Sequence, residues 1–291
     1  MSISSAVGLR RQTLKRLSKW ILARGSLALI VIAAIAPLLW LVDSALKPDS
    51  AIFAATPSWW IKDPTFSHFT WALDPENLNL TKLIANTLII CALTSLVTTV
   101  FACTAGYALA RWRSRMARAV IGLLLASQLI QGPMIMLPWY KVAAELHLLD
   151  TKLILIAIYQ TMTLPVATWL MRGFFEVVPR ELEESAYVDG AGRVRTYLSI
   201  VLPLVRPGIV AIGTYSFILA WNDYQYALLL TSSDNSRTVQ VGIAQLLGSI
   251  GATNWGGVLA GGVLVVVPVI VLFAVAQRAL IEGLTAGGVK G

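Results

Sequence analysis

Apolar residues in this chain gather in long runs, separated by short stretches that hold most of its charges. Six runs stand out, over 25–42, 83–110, 119–140, 153–171, 208–231 and 255–276. A helix needs about 20 apolar residues to cross a hydrocarbon core of ~30 Å, and each run reaches or approaches that length. A transmembrane barrel would instead show alternating segments of about ten residues, which are absent. The pattern predicts an all-α integral membrane protein with about six transmembrane helices. They fill one membrane domain at 25–277, flanked by an arm at 1–24 and a tail at 278–291. Ala34-Ile35-Ala36 has the form of a signal-peptide cleavage site, but Pro37 follows at once and apolar residues continue to Val42. The first run therefore reads as an uncleaved anchor.

Composition agrees. With 57% hydrophobic and 13% charged residues, the chain has more apolar surface than a soluble fold of 291 residues can bury, and the surplus must face lipid. A net charge of +8 would suit nucleic acid only if the cations lined one polar face. They sit in loops instead. Arg10, Arg11, Lys15, Arg16, Lys19 and Arg24 precede the first run; Arg111, Arg113, Arg115 and Arg118 follow the second; Arg172, Arg180, Arg193, Arg195 and Arg206 follow the fourth; Arg278 and Lys290 end the chain. By the positive-inside rule these segments, and both termini, are cytoplasmic. Leu14, Leu17 and Ile21 alternate with basic residues in the arm, which suits a helix at the headgroups or a disordered arm. On the outer side, 47–82 carries Pro48, Pro57, Trp59, Trp60, Pro64, Trp71 and Pro75, a short excursion with interfacial anchors.

Cys91 and Cys103 fall in one predicted helix, ~18 Å apart along its axis, so no disulfide joins them within the chain. With His68 and His147 the only histidines, no metal-ligand spacing occurs, and both cysteines read as small packing residues. Gln128, Gln131, Gln160, Thr161, Thr163, Asn222, Asp223 and Gln225 place polar atoms at membrane depth, where they must face other helices or water. Pro133, Pro138, Pro165 and Pro268 are expected to interrupt the runs.

The connection at 174–207 differs from every other loop, being long, charged and patterned as two short helices. Pro179 can open the first, Glu181-Leu182-Glu183-Glu184 supplies acids to its first turn, and Gly190 permits a turn at positive φ. Val194, Leu198 and Val201 recur at helical spacing before Leu202-Pro203 stops the second helix. The string Glu184-Ser185-Ala186, Asp189-Gly190-Ala191, then Ile200, Leu202 and Pro203 resembles the EAA loop of importer permeases in the ATP-binding cassette superfamily. Ser185 stands where that pattern has alanine. Trp221-Asn222-Asp223-Tyr224, Leu149-Asp150-Thr151, Leu164-Pro165 through Phe175 and the glycine-rich tail from Gln277 are similar to carbohydrate permeases of the maltose-importer group.

That resemblance implies one permease subunit of a binding-protein-dependent sugar importer in the bacterial cytoplasmic (inner) membrane. It further implies a second permease subunit, two ATPase subunits and an extracytoplasmic solute-binding protein as partners. No G-x-x-x-x-G-K-[ST] phosphate loop occurs, so ATP and Mg are expected on the ATPase subunits, with no cofactor, metal or catalytic residue in this chain. Glu184, Ser185, Ala186, Asp189, Gly190 and Ala191 are the expected ATPase-coupling residues: Glu184 as a charged anchor, Ala186 permitting close approach, Gly190 setting the elbow. Glu181 and Glu183 are expected in solvent. Trp221, Asn222, Asp223, Tyr224 and Tyr226 are apt for a sugar path or gate, with interhelical packing as the competing reading. A glycerol-phosphate importer would favour cations along the path, and none is seen there. A secondary transporter would need intramembrane carboxylates, and only Asp223 qualifies. A membrane enzyme would need a clustered nucleophile, acid-base pair or metal site, and no such set appears.

Overall fold

The computed structural model describes residues 3–54, 56, 58–112, 114–130, 132–248 and 254–287, with side-chain surroundings at Trp20 and within 24–277, Pro133 excepted. Pro57, Arg113 and Gln131, the side chains of Arg10 to Lys19, and those of the tail from Arg278 onward lie outside that description.

The described residues form helices and no strand. In chain order they are α1 (Ile3–Ala45), α2 (Asp49–Ile52), α3 (Ser67–Leu73), α4 (Leu80–Arg111), α5 (Arg115–Ser127), α6 (Pro133–Glu145), α7 (Lys152–Val177), α8 (Glu181–Val188) and α9 (Arg193–Thr196). A π turn (Tyr197–Val201) follows, then α10 (Leu202–Leu204), α11 (Arg206–Trp221), α12 (Gln225–Leu230), α13 (Val239–Gly248) and α14 (Trp255–Gly287). Four helical stretches are long and apolar enough to span alone, at 24–45, 80–111, 152–177 and 255–277. The pair 193–204 and 206–221, bent by 77° at Val205, passes the same test only when its two arms are taken together.

Two compact units divide the chain, the first holding 1–71 and 254–263. Within it the arm and first span are one continuous helix, with Pro37 inside it. Lys47, only 5% exposed, pairs with Asp43 and donates to the Ser58 carbonyl, while His68 Nε2 lies 2.9 Å from the Lys47 carbonyl oxygen. The start of α14 presses on this excursion. A Cβ at Gly256 would stand 2.1 Å from the His68 ring, and one at Gly257 2.4 Å from Trp71. Trp59 and Trp60 are 70% and 85% exposed, Trp59 packing edge-on against Trp40 of α1, which suits them to act as interfacial anchors.

The second unit, 72–253 with 264–291, is built on α4 and α7, which pack on each other most extensively, with α11 laid against both. Small residues permit the approach: a Cβ at Gly106 of α4 would lie 2.8 Å from Met171 Cβ on α7. Several polar groups at membrane depth pair with one another, as expected, although Thr94 Oγ1 on α4 is buried without a partner. Thr98 meets Gln160 Oε1 at 2.8 Å and Thr163 Oγ1 at 2.7 Å, and Ser95 donates to the Gly213 carbonyl at 2.8 Å. Cys91 and Cys103 are free and buried.

The third expected span is not one helix. α5 and α6 have 13 residues each and are separated around Gln128 and Gly132, whose φ of 80° precedes Pro133 at the start of α6. The two helices together still carry the chain across the unit. Arg111 at the end of α4 is bonded to Glu183 beyond α7, whereas Asn86 near the start of α4 and Asp150 before α7 are bonded to residues 232–237. α5 and α6 therefore connect the Arg111 end of the bundle to its Asp150 end. The fifth expected span also breaks, at Asn222–Tyr224 between α11 and α12. Of the prolines expected to interrupt, only Pro133 stands at a break; Pro138, Pro165 and Pro268 lie inside helices. Neighbouring helices and small backbone adjustments can accommodate the hydrogen bond each proline omits.

Candidate functional site

At the Arg111 end of the second unit the chain forms a two-limbed elbow. α8 is the first limb, with Glu181, Glu183 and Glu184 in its first turn, where acids favour the positive end of the helix dipole. It ends in a glycine turn: Gly190 has a φ of 81°, its N–H donates to the Tyr187 carbonyl at 3.1 Å, and Ala191 N–H donates to the Ala186 carbonyl at 2.9 Å. An L side chain is strained at that φ, which explains glycine there. The second limb is longer than expected. It continues from α9 through the π turn and α10, with Pro203 inside α10, and turns only at Val205.

Six expected coupling residues share the first limb and its turn, and the structure separates their surroundings. Glu184, Ser185, Asp189 and Gly190 are exposed and Ala191 is half-buried, while Ala186 is 5% exposed. Ala186 therefore packs inward, and the close approach it permits is to this chain's own helices. Ser185 Oγ is turned back on the Glu181 carbonyl at 2.8 Å. Glu184 borders an open hollow of about 360 Å³ together with Tyr107, Arg111, Arg180, Tyr187 and Arg193.

Glu183 corrects the expectation of solvent exposure. It is 6% exposed, its Oε1 accepts from Arg111 Nε at 2.6 Å, and its Oε2 accepts from Tyr107 Oη at 2.6 Å. The α8 helix turns this face toward α4, and burial of a carboxylate is tolerable there because Arg111 and Tyr107 supply its bonds. Neither Arg111 nor Tyr107 was marked by motif. Their only sequence signal is Arg111 in the last turn of a long apolar helix.

At the opposite end of the same unit, Asp150 holds two loops together. Its backbone is left-handed, at φ 58°, its N–H donates to the Leu230 carbonyl at 2.8 Å, and its Oδ1 accepts from Ser232 N and Ser233 N at 2.9 Å each and from Ser236 Oγ. Partial burial pushes the carboxyl upward. The bonds from Ser233, Ser236 and Ser232 outweigh it and hold the group well below the usual carboxylate range.

The five expected sugar-path residues do not converge on one surface. Trp221 is 3% exposed and stacks on Phe217 with ring centroids 5.7 Å apart. Asp223 Oδ2 accepts from Tyr159 Oη at 2.8 Å and from Ala227 N at 3.1 Å, joining α7 to the first turn of α12. Asn222 is exposed but turns its amide to the Ile218 carbonyl at 2.9 Å, and Tyr224 is 39% exposed. Tyr226 lines a sizeable hollow. That space, about 390 Å³, lies beside the α5–α6 break and is lined also by Gln128, Trp139, Thr161 and Met162. Within this chain, ring stacking and hydrogen bonding occupy Trp221 and Asp223.

A bundle of apolar helices with polar groups paired across helices, broken crossings and a charged surface elbow has the architecture of a membrane transport subunit. The chain belongs to the family described as the inner membrane component of binding-protein-dependent transport systems, whose pattern matches residues 19–285. It is 32% identical over 263 residues to the diacetylchitobiose uptake system permease protein DasC of Streptomyces coelicolor, covering 90% of this chain and 94% of that one. To the trehalose/maltose transport system permease protein MalG of Thermococcus litoralis it is 31% identical, covering 97% and 100%. The fold is similar to a chain of a bacterial transporter that imports the acidic polysaccharide alginate, with a TM-score of 0.75, 21% identity and coverage of 96% and 98%.

Proposed function

We propose that this chain is one of two permease subunits of an ATP-driven importer that takes up an oligosaccharide delivered by an extracytoplasmic binding protein. The observation that carries the reading is the elbow, an exposed acidic limb closed by a positive-φ glycine and seated on the spanning helices. Its exposed face, with Glu184 foremost, is the contact for a cytoplasmic ATPase subunit, and Gly190 sets the angle between the limbs. Closure of the ATPase pair displaces α8, and the bundle responds as a rigid body rocking against its partner permease. ATP and its Mg ion belong to the ATPase subunits. The elbow end faces the cytoplasm, as do both termini, which the distribution of Lys and Arg supports. A sugar cargo is supported by the names of the relatives, a diacetylchitobiose permease and a trehalose/maltose permease among them.

The test is uptake by the complex isolated through a tag on this chain and reconstituted in vesicles. Oligosaccharide should accumulate only with ATP and binding protein present. Accumulation driven by a proton or sodium gradient without ATP would overturn the reading.

A further inference from the structure

Taking the elbow to be the ATPase contact, we infer that the buried Arg111–Glu183 pair is the joint that passes ATPase movement into the spanning helices, with Arg111 as its positioning residue. Two adjacent acids on α8 divide the work. Glu184 is exposed to a partner, whereas Glu183 faces inward and is held at both oxygens by α4, through Arg111 Nε at 2.6 Å and Tyr107 Oη at 2.6 Å.

Arg111 does more than neutralise Glu183. Its Nη1 donates to the Phe175 carbonyl at 3.0 Å and its Nη2 to the Val178 carbonyl at 3.2 Å, so one guanidinium joins α8 to α4 and to the end of α7. Arg180, immediately before α8, returns a bond from Nη2 to the Arg111 carbonyl at 2.9 Å. The second limb rests on the same spot. Tyr197 of the π turn packs on Tyr107 with centroids 4.8 Å apart, and Phe175 packs on Tyr107 at 5.5 Å. Both limbs are thus referred to one turn of α4.

The planar fork of arginine lets several acceptors be held at fixed angles at once, which a lysine cannot reproduce. Burial matters too. An exposed pair exchanges with water and bears little load, while this one, with the side chains 17% and 8% exposed, is screened far less. A displacement of α8 therefore moves the ends of α4 and α7 with it. Without the joint, α8 can stay docked on the ATPase yet slip against the bundle, so that hydrolysis runs without transport.

Glu183→Gln keeps the side-chain shape and removes the charge, Arg111→Lys keeps the charge and removes the fork, and Tyr107→Phe removes a single hydroxyl. Each is assayed in the reconstituted complex for ATP hydrolysed per sugar accumulated, beside the wild type. The first two should leave binding-protein-stimulated hydrolysis within about twofold while uptake falls about tenfold, the scale of one charge-assisted hydrogen bond, and Tyr107→Phe should fall between. A ratio that stays at the wild-type value, whether both activities persist or both fall together, overturns the inference. Loss of the assembled complex in all three variants does so as well, by reducing the pair to an assembly requirement. A wild-type complex that shows no ATP-dependent uptake defeats the functional reading itself, whereas active wild type with unchanged variants defeats only the joint.

Discussion

At the scale of single residues, space and hydrogen bonding separate substitutions that look alike in sequence. Gly106 and Gly122 both sit in apolar helices. A Cβ on Gly106 would lie 2.8 Å from Met171 Cβ and 3.0 Å from the Arg172 backbone nitrogen, whereas one on Gly122 meets nothing within 4 Å. Gly106→Val should therefore cost about 1–3 kcal/mol by forcing α4 from α7, and Gly122→Ala should gain up to about 1 kcal/mol through helix propensity. Thermal unfolding of the detergent-purified protein reads both, and equal shifts would refute the tight contact. Asp150 makes a prediction in pH. Because its carboxyl is held below the usual range when folded, its contribution is complete above the ordinary carboxylate value near about 4 and fades as pH falls from there toward the folded value. Asp150→Asn, which keeps shape but not charge, should lower the unfolding temperature at pH 7, with the gap from wild type narrowing below about pH 4. A gap that widens in acid would reverse the assignment. The glycine turn at Gly190 was legible because a single residue type answers a single backbone need. The bonds of Asp150 were not, since its serine partners lie 82 to 86 positions away and left no local periodicity.

At the scale of elements, apolarity betrayed where helices lie better than where they stop. The run at 119–140 is apolar almost throughout, so hydropathy merged α5 with α6. Pro133 carried a breaker signal and does stand at the break after Gly132, but the prolines inside unbroken helices carried the same signal, so it did not by itself place the boundary. The elbow was read correctly as two limbs about a glycine, while the inner and outer faces of α8 were not. Acids three and four residues into a helix look equally solvated until the partner helix is known, and Glu183 meets Arg111 across 72 positions. The distinction is testable at Glu184. It is exposed and makes no contact with Arg111's guanidinium of the kind Glu183 makes, so Glu184→Lys should change the stability of the isolated chain by less than about 0.5 kcal/mol. It should nevertheless remove the ATPase from the purified complex, by setting repulsion where attraction is proposed. Retention of the ATPase at wild-type levels, with normal uptake, would show that this face is not the contact. Gly190→Pro tests the turn itself: a φ fixed near about −65° cannot reach 81°, and the donor to Tyr187 is lost. Uptake should collapse with insertion intact, as measured by membrane yield.

For the whole molecule the question is which end of the bundle faces the cytoplasm. The second unit defines two ends without reference to a membrane, one marked by Arg111 and the elbow, the other by Asn86, Asp150 and residues 232–237. Length alone yields four spans or five, yet the broken α5–α6 pair completes a further crossing by connecting those ends. The direction we propose rests on the cations. Arg111, Arg115, Arg118, Arg180, Arg193 and Arg195 gather at the elbow end, and such clusters are retained in the cytoplasm during insertion. Asn235 and Tyr187 are exposed at opposite ends, which suits them to single-cysteine labelling. The native Cys91 and Cys103 are both buried and are first replaced by alanine or serine. In intact cells a membrane-impermeant maleimide should label Asn235→Cys and spare Tyr187→Cys, which should react only after the membrane is opened. Labelling of Tyr187→Cys from outside would invert the topology and place the elbow beyond the reach of any cytoplasmic ATPase. The opposite result would leave α8 on the only side where ATP is available to drive it.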